Sequence, residues 1–116
     1  MQELPLFVEL PSFERHRENY LNDDEYRSFQ NILITTPEAG KKIKGTGGIR
    51  KIRYSDKSRN KGTRGGIRVI YYYQVSESRF LLFTLYNKGE MSDLSQKEKT
   101  VFKQALAEEL KNRKSS

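Results

Sequence analysis

Basic side chains on two predicted β-strands are the residues of this sequence best suited to chemistry. Lys51 and Arg53 are two positions apart, so on a strand they share one face. Arg68 stands among apolar neighbours in the next predicted strand, where an arginine is costly unless it faces water, a carboxylate or a phosphate. Clustered cations stabilise the extra negative charge that a phosphodiester gains in its transition state. The pattern indicates chemistry on a nucleic-acid phosphate; the alternative for Lys51 and Arg53 is the solvated face of a sheet.

Few other residues offer chemistry. The chain has no cysteine and one histidine, His16, which excludes disulfides, thiolate metal sites and an imidazole metal cluster. His16 lies in an acidic segment, where a surface or boundary position is the favoured interpretation. No carboxylate cluster suits a two-metal nuclease, so neither a metal nor another cofactor is predicted.

RNA cleavage without metal or histidine has a known chemical route. The 2′-hydroxyl of the RNA attacks the adjacent phosphate and yields a cyclic phosphate and a free 5′-hydroxyl. The enzyme must align this attack and stabilise the charge that develops. A lysine held among other cations is a candidate for accepting the proton.

Positive charge is concentrated in the middle of the chain. Residues 41–68 contain eleven of the 22 lysines and arginines and one acid, Asp56, whereas residues 1–40 carry a net charge of −5. Such a concentration attracts polyanions, of which nucleic acid is the commonest inside cells. The residues predicted to contact an RNA backbone are Arg50, Lys57, Arg59, Lys61 and Arg64. A solvated basic loop without a specific partner is the alternative.

The first forty residues are predicted to form one short strand and two helices. An apolar run at 6–8, between two prolines, is typical of an edge or first strand. Ser12 is the predicted N-cap of the first helix. Asn22, with Glu25 three residues later, matches a capping box for a second helix that ends before Pro37.

The rest of the chain is predicted to form an antiparallel meander and a helix. The strands are predicted at 49–55, 67–75 and 79–86, and the last is almost continuously apolar, as in an interior strand covered on both faces. Ser95 and Glu98 match a second capping box. The predicted fold class is α+β, with two N-terminal helices, an antiparallel sheet of about three to four strands and a C-terminal helix. A single domain over residues 1–116 is expected, with a polar tail from about residue 111.

Three segments resemble one known family. They are residues 45–53 (Gly-Thr-Gly-Gly-Ile-Arg-Lys-Ile-Arg), 64–72 (Arg-Gly-Gly-Ile-Arg-Val-Ile-Tyr-Tyr) and 85–94 (Leu-Tyr-Asn-Lys-Gly-Glu-Met-Ser-Asp-Leu). With the order of the elements, they are similar to the RelE/ParE superfamily of bacterial toxins, and within it to the HigB-type toxins. The resemblance covers residues 7–106. It implies a microbial-RNase-like fold, cleavage of messenger RNA in the ribosomal A site, restraint by a cognate antitoxin and a cytoplasmic location.

The resemblance also implies roles for individual basic residues. In the family, basic residues on the second and third strands of the sheet carry the reaction. Lys51 and Arg53 match the paired basic positions. Arg68 matches the strand arginine that contacts the scissile phosphate, and Lys88 matches the lysine after the last strand.

Two positions depart from RelE itself. Met91 stands where RelE carries an arginine, and Ser95 stands where it carries a tyrosine that acts as a general base or stacks on a nucleobase. Tyr86 is close enough in sequence to the turn at Lys88 to replace that tyrosine. Glu90 is a second candidate proton acceptor, although pairing with a neighbouring cation is the favoured role. The general base is therefore left unassigned.

Three functions fit the sequence. The favoured one is a ribosome-dependent endoribonuclease whose partners are an antitoxin, the ribosome and messenger RNA, with no membrane and no small-molecule ligand. A ParE-like DNA gyrase poison shares the fold but does not need the basic set of Lys51, Arg53 and Arg68. A non-catalytic RNA-binding module would bind in a salt-dependent manner and leave no cut product. The antitoxin surface, the codon preference and the oligomeric state are left open.

Overall fold

The computed structural model describes residues 5–54, 66–91 and 93–115, with side chains up to residue 111. Its strands are β1 (Leu6–Glu9), β2 (Lys41–Lys42), β3 (Arg50–Tyr54), β4 (Ile67–Gln74) and β5 (Arg79–Asn87). Its helices are α1 (Pro11–Tyr20), α2 (Asp23–Thr35) and α3 (Gln96–Ser115). A 3-10 turn at Val75–Glu77 joins β4 to β5.

The strands form one mixed sheet in the order β1-β5-β4-β3-β2. β1 runs parallel to β5, and the other neighbours are antiparallel. The predicted α+β class is confirmed, and within the described residues the sheet has five strands. The strand not predicted, β2, has only Lys41 and Lys42, which are too few to show an alternating pattern in the sequence. The predicted loop at 56–66 lies outside the described residues except for Gly66.

The sheet separates two layers of apolar side chains. The layer under α1 and α2 is built on Phe13, Phe29, Leu33, Tyr71, Phe80 and Leu82. The layer under α3 is built on Ile49, Ile70, Leu81, Phe83 and Leu106. Because both faces are covered, β5 is buried from Arg79 to Tyr86, as predicted for an interior strand.

The first helix begins earlier than predicted. Leu10 is its N-cap residue, without a side-chain hydrogen bond, and Pro11 takes the first helical position, where a missing N–H costs nothing. The predicted N-cap at Ser12 is wrong, because the Ser12 hydroxyl lies 2.8 Å from the Thr84 hydroxyl on β5 instead. This contact ties the start of α1 to the sheet.

The other two predicted caps are confirmed. Asn22 Oδ1 accepts the Glu25 N–H, and Glu25 Oε1 accepts the Asn22 N–H, both at 2.8 Å. Ser95 and Glu98 form the same reciprocal pair at 3.1 and 2.8 Å. Each box satisfies N–H groups that the first turn of a helix leaves free. In the described part of the chain, no helix combines the length and the apolar character needed to cross a membrane.

Candidate active site

Three side chains predicted from the sequence line up across the sheet. Arg53 on β3 pairs with Arg68 on β4, and Arg68 pairs with Tyr86 on β5. Neighbouring strands lie about 4.8 Å apart and directly opposed residues share a face, so the three form one transverse row. The row faces α3, because Tyr86 belongs to the apolar layer under that helix. We call it the Arg53–Arg68–Tyr86 row.

A β-bulge places Tyr86 in this row. The pairing of β4 with β5 skips Phe83, so residues on either side of it follow registers that differ by one. A one-residue shift reverses the face to which every later side chain points. Leu82 and Leu85 therefore both lie in the α1–α2 layer, although they are three positions apart. Without the bulge, Arg68 would oppose Leu85, and Tyr86 would face away from α3.

A groove of about 430 Å³ opens beside the row. It is lined by Ala39, Lys41, Lys51, Ile52, Arg53 and Arg68. Lys51 shares the face of Arg53, and Lys41 on β2 pairs directly with Lys51. Cations gathered around one groove repel each other, so an anion bound there lowers the electrostatic energy. The groove is suited to a phosphate group.

The hydroxyl of Tyr86 is buried and has no hydrogen-bond partner among the described residues. Burial raises the pKa of Tyr86, the charge of Asp93 raises it further, and the charge of Arg68 lowers it. The phenol is therefore protonated at neutral pH. It does not serve as a general base. Tyr86 is not among the residues that line the groove, so its hydroxyl can donate a hydrogen bond to a ligand only after neighbouring side chains move and open access to it.

Asp93 contacts this group of residues from the segment that precedes α3. Its Oδ1 lies 3.4 Å from Lys51 Nζ and accepts the Leu94 N–H at 2.8 Å. The Leu94 N–H contributes most, and the charges of Lys51 and Lys99 contribute further, to a pKa of Asp93 below its usual value. Asp93 is thus ionised at neutral pH. No local pattern of residues indicates this contact, because 42 positions separate Asp93 from Lys51.

The residues of the turn after β5 that the sequence analysis considered for the active site do not line the groove. Lys88 is exposed, and its N–H donates to the Gly66 carbonyl at 3.2 Å. Glu90 Oε1 accepts a hydrogen bond from the Tyr20 hydroxyl at 2.8 Å. Met91 packs against the apolar layer under α3. None of these three turn residues lines the groove.

Arg50 is occupied on the other face of the sheet. Its Nη1 donates to the carbonyls of Gly40 at 2.7 Å and Glu38 at 3.2 Å, and 15% of its side chain is exposed. These bonds hold the connection between α2 and β2. The other predicted RNA contacts, at Lys57, Arg59, Lys61 and Arg64, lie outside the described residues. His16 lies on α1. Its Nδ1 is 3.0 Å from the Ser12 carbonyl of the same helix.

Comparison with known proteins supports the fold. No protein-family model matches the chain. The chain is similar to a solved structure of a mutant of the E. coli toxin RelE in the free state, with a TM-score of 0.54 and 10% sequence identity over 78% of this chain and 90% of that one. At this identity the likeness establishes a shared fold, so the chain has a RelE-like α+β fold. The resemblance found in the three sequence segments is confirmed at the level of the fold.

Proposed function

We propose that this chain is the toxin of a toxin–antitoxin pair and that it cleaves messenger RNA on the ribosome as a metal-independent endoribonuclease. The fold supports a toxin, because the similar solved structure is that of the toxin RelE. The observation that carries the chemistry is the Arg53–Arg68–Tyr86 row beside the cationic groove. The cations of this arrangement stabilise the transition state of an RNA phosphodiester, because the phosphate becomes more negative as it reacts.

The row combines cations with one neutral donor. Arg68, at its centre, is proposed to hold two oxygens of the scissile phosphate through its planar guanidinium. Arg53 and Lys51 add positive charge at the groove and lower the energy of the transition state. Tyr86, which is protonated, is proposed to transfer its phenolic proton to the departing 5′-oxygen when the bond to phosphorus breaks, once bound RNA has opened access to the hydroxyl; the phenolate that results regains a proton from water.

The attacking group comes from the RNA itself. The 2′-oxygen forms a bond to phosphorus as the 5′-oxygen leaves, which gives a cyclic phosphate and a 5′-hydroxyl. Among the described residues, those that line the groove include no carboxylate and no imidazole. Because Lys51 serves in this proposal as a cation that stabilises the phosphate, we assign the acceptor of the 2′-hydroxyl proton to the ribosome or its bound water. Binding on the ribosome also supplies the in-line alignment of the RNA, and both contributions account for a requirement for ribosomes.

The remaining basic residues are proposed to add affinity. Lys88, exposed in the turn after β5, extends the positive surface beyond the groove. The other proposed backbone contacts are Lys57, Arg59, Lys61 and Arg64. Arg50 is not proposed as one, because its guanidinium bonds to the carbonyls of Gly40 and Glu38 on the other face of the sheet. A cognate antitoxin is proposed to restrain the toxin in the cytoplasm, where messenger RNA and ribosomes are available.

A primer-extension map of one messenger RNA in a purified translation reaction tests the proposal. Wild type, Arg68→Ala and Arg68→Lys are each assayed with and without ribosomes. We expect cuts that require ribosomes, that disappear in Arg68→Ala and that are strongly reduced in Arg68→Lys, because lysine keeps the charge but loses the planar pair of donors. Arg27→Ala is the matched control, because Arg27 is 73% exposed on α2, and it should cut like wild type.

The absence of cuts from folded wild-type protein would contradict the proposal. Gyrase cleavage complexes that form while messages stay intact would then favour a gyrase poison. Salt-dependent RNA binding without a cut product would favour a non-catalytic RNA-binding module.

A further inference from the structure

Asp93 and Lys51 join two parts of the chain that are far apart in sequence. Asp93 stands between β5 and α3, and Lys51 stands within β3. Their side chains are 54% and 32% exposed, and Nζ lies 3.4 Å from Oδ1. An ion pair this exposed contributes little to net stability. Stability therefore does not account for the placement of a carboxylate beside the groove.

Lys51 contacts Asp93 and the groove at the same time. Its ammonium carries three N–H donors. One is directed at Asp93, and the same side chain lines the groove with Arg53 and Arg68. Within the described residues the other two donors have no hydrogen-bond partner, so they can contact the oxygens of a bound phosphate while the contact with Asp93 is kept.

Asp93 is held in place by its own surroundings. Its Oδ1 accepts the Leu94 N–H at 2.8 Å, and the capping box of Ser95 and Glu98 follows directly. The carboxylate thus stands at an anchored helix start. Lys51, by contrast, has a long stem with several rotatable bonds, and its ammonium needs an external contact to keep one direction.

We propose that Asp93 is a positioning residue that orients the Lys51 ammonium toward a phosphate in the groove. This role rests on the endoribonuclease function proposed above. A charge that is oriented before the reaction acts mainly on the transition state, because no reorganisation is needed when the extra charge develops. The negative charge of Asp93 does not itself attract RNA, so its removal slows cleavage without weakening the binding of RNA.

Two variants separate the charge of Asp93 from its contacts. Asp93→Asn keeps an oxygen for the Leu94 N–H and loses the charge, whereas Asp93→Ala loses both. Single-turnover cleavage on the ribosome should fall about tenfold in Asp93→Ala and less in Asp93→Asn. The dissociation constant for an RNA with a 2′-deoxy group at the scissile nucleotide should stay equal or decrease. Asp24→Asn is the matched control, since it removes a carboxylate 3.6 Å from Arg27 on α2, and it should change neither quantity.

Cleavage that is unchanged or faster in both variants would overturn the proposal. A parallel loss of cleavage and of RNA binding would also overturn it, because that result indicates a structural role. The orientation is measured without catalysis by NMR relaxation of the Lys51 ammonium nitrogen, whose mobility should rise in Asp93→Asn and stay unchanged in Asp24→Asn. If that mobility does not rise, the proposal fails even where wild type cleaves no RNA. The failure of the positioning role and the failure of the endoribonuclease function are therefore separate results.

Discussion

Arg68 and Tyr86 oppose each other across β4 and β5 because the ladder between these strands skips Phe83. The bulge brings a buried, protonated phenol beside a guanidinium on the face that carries Lys51 and Arg53. Bulges near functional sites often re-aim one side chain in this way. The irregularity is thus the feature that completes the row.

Replacement of Tyr86 by phenylalanine should separate activity from stability. The free energy of unfolding should change by less than about 0.5 kcal/mol, because the lost hydroxyl is buried without a hydrogen-bond partner among the described residues. Cleavage of messenger RNA should fall about a hundredfold, because the proposed proton donor is gone. Denaturant unfolding and single-turnover cleavage of the same preparation measure the two effects.

Tyr71→Phe is the matched control for Tyr86→Phe. The Tyr71 hydroxyl accepts the Gly40 N–H at 2.9 Å and donates to the Pro37 carbonyl at 2.9 Å. Its loss leaves a buried N–H unpaired and should lower the free energy of unfolding by about 1–3 kcal/mol. Equal destabilisation by the two substitutions, or full cleavage activity in Tyr86→Phe, would count against the role given to Tyr86.

The cations of the site could be predicted from local pattern, but their partners could not. Alternation with a period of two placed Lys51 and Arg53 on one face, and the apolar surroundings of Arg68 marked it as unusual. The position of Tyr86 depends on a bulge within residues 80–86, where apolar residues are almost continuous. A run without alternation carries no signal for which residue the ladder skips.

Contacts between segments that are distant in sequence account for the other differences between the sequence predictions and the structure. Ser12 has the residue type and position of an N-cap, yet it bonds to Thr84, 72 positions away. Asp93 likewise meets Lys51 only in the folded sheet. Both capping boxes were predicted correctly because Asn22 with Glu25, and Ser95 with Glu98, are complete within four residues.

The salt dependence of RNA binding should show whether Arg53 contacts a phosphate. Within the described residues, Arg53 has no carboxylate within ion-pair distance, and it is exposed at the groove. If Arg53 neutralises one phosphate, Arg53→Gln should make the slope of the logarithm of the association constant against the logarithm of salt concentration less negative. The change should be about 0.7 for single-stranded RNA. Fluorescence anisotropy at several salt concentrations measures this slope. Arg27→Gln, with the same loss of charge on α2, should leave the slope as in wild type, and an equal reduction in both variants would contradict a specific contact.

The contact between Ser12 and Thr84 should appear as an energetic coupling. The two hydroxyls are 2.8 Å apart. Ser12→Ala removes one of them and Thr84→Val removes the other. If Ser12 acts through Thr84, the double variant should be less destabilised than the sum of the single variants, with a coupling of about 0.5–1.5 kcal/mol. Denaturant unfolding of the four proteins gives this value. Strict additivity would show that the two hydroxyls do not stabilise each other.

Buried tyrosines should make the fold sensitive to alkali. Tyr26, Tyr71 and Tyr86 each have a pKa raised above the usual value, in every case mainly by burial. A group whose pKa is higher in the folded state contributes stability that is complete below the unfolded pKa, about 10, and is lost as the pH rises through the folded pKa. The free energy of unfolding should therefore fall steeply above about pH 10, by about 1.4 kcal/mol per pH unit for each tyrosine that titrates only in the unfolded chain. Tyr26→Phe removes one of these groups, so its decline in denaturant unfolding should be shallower than that of wild type. Parallel declines of the two proteins would show that Tyr26 does not contribute to the alkaline loss of stability.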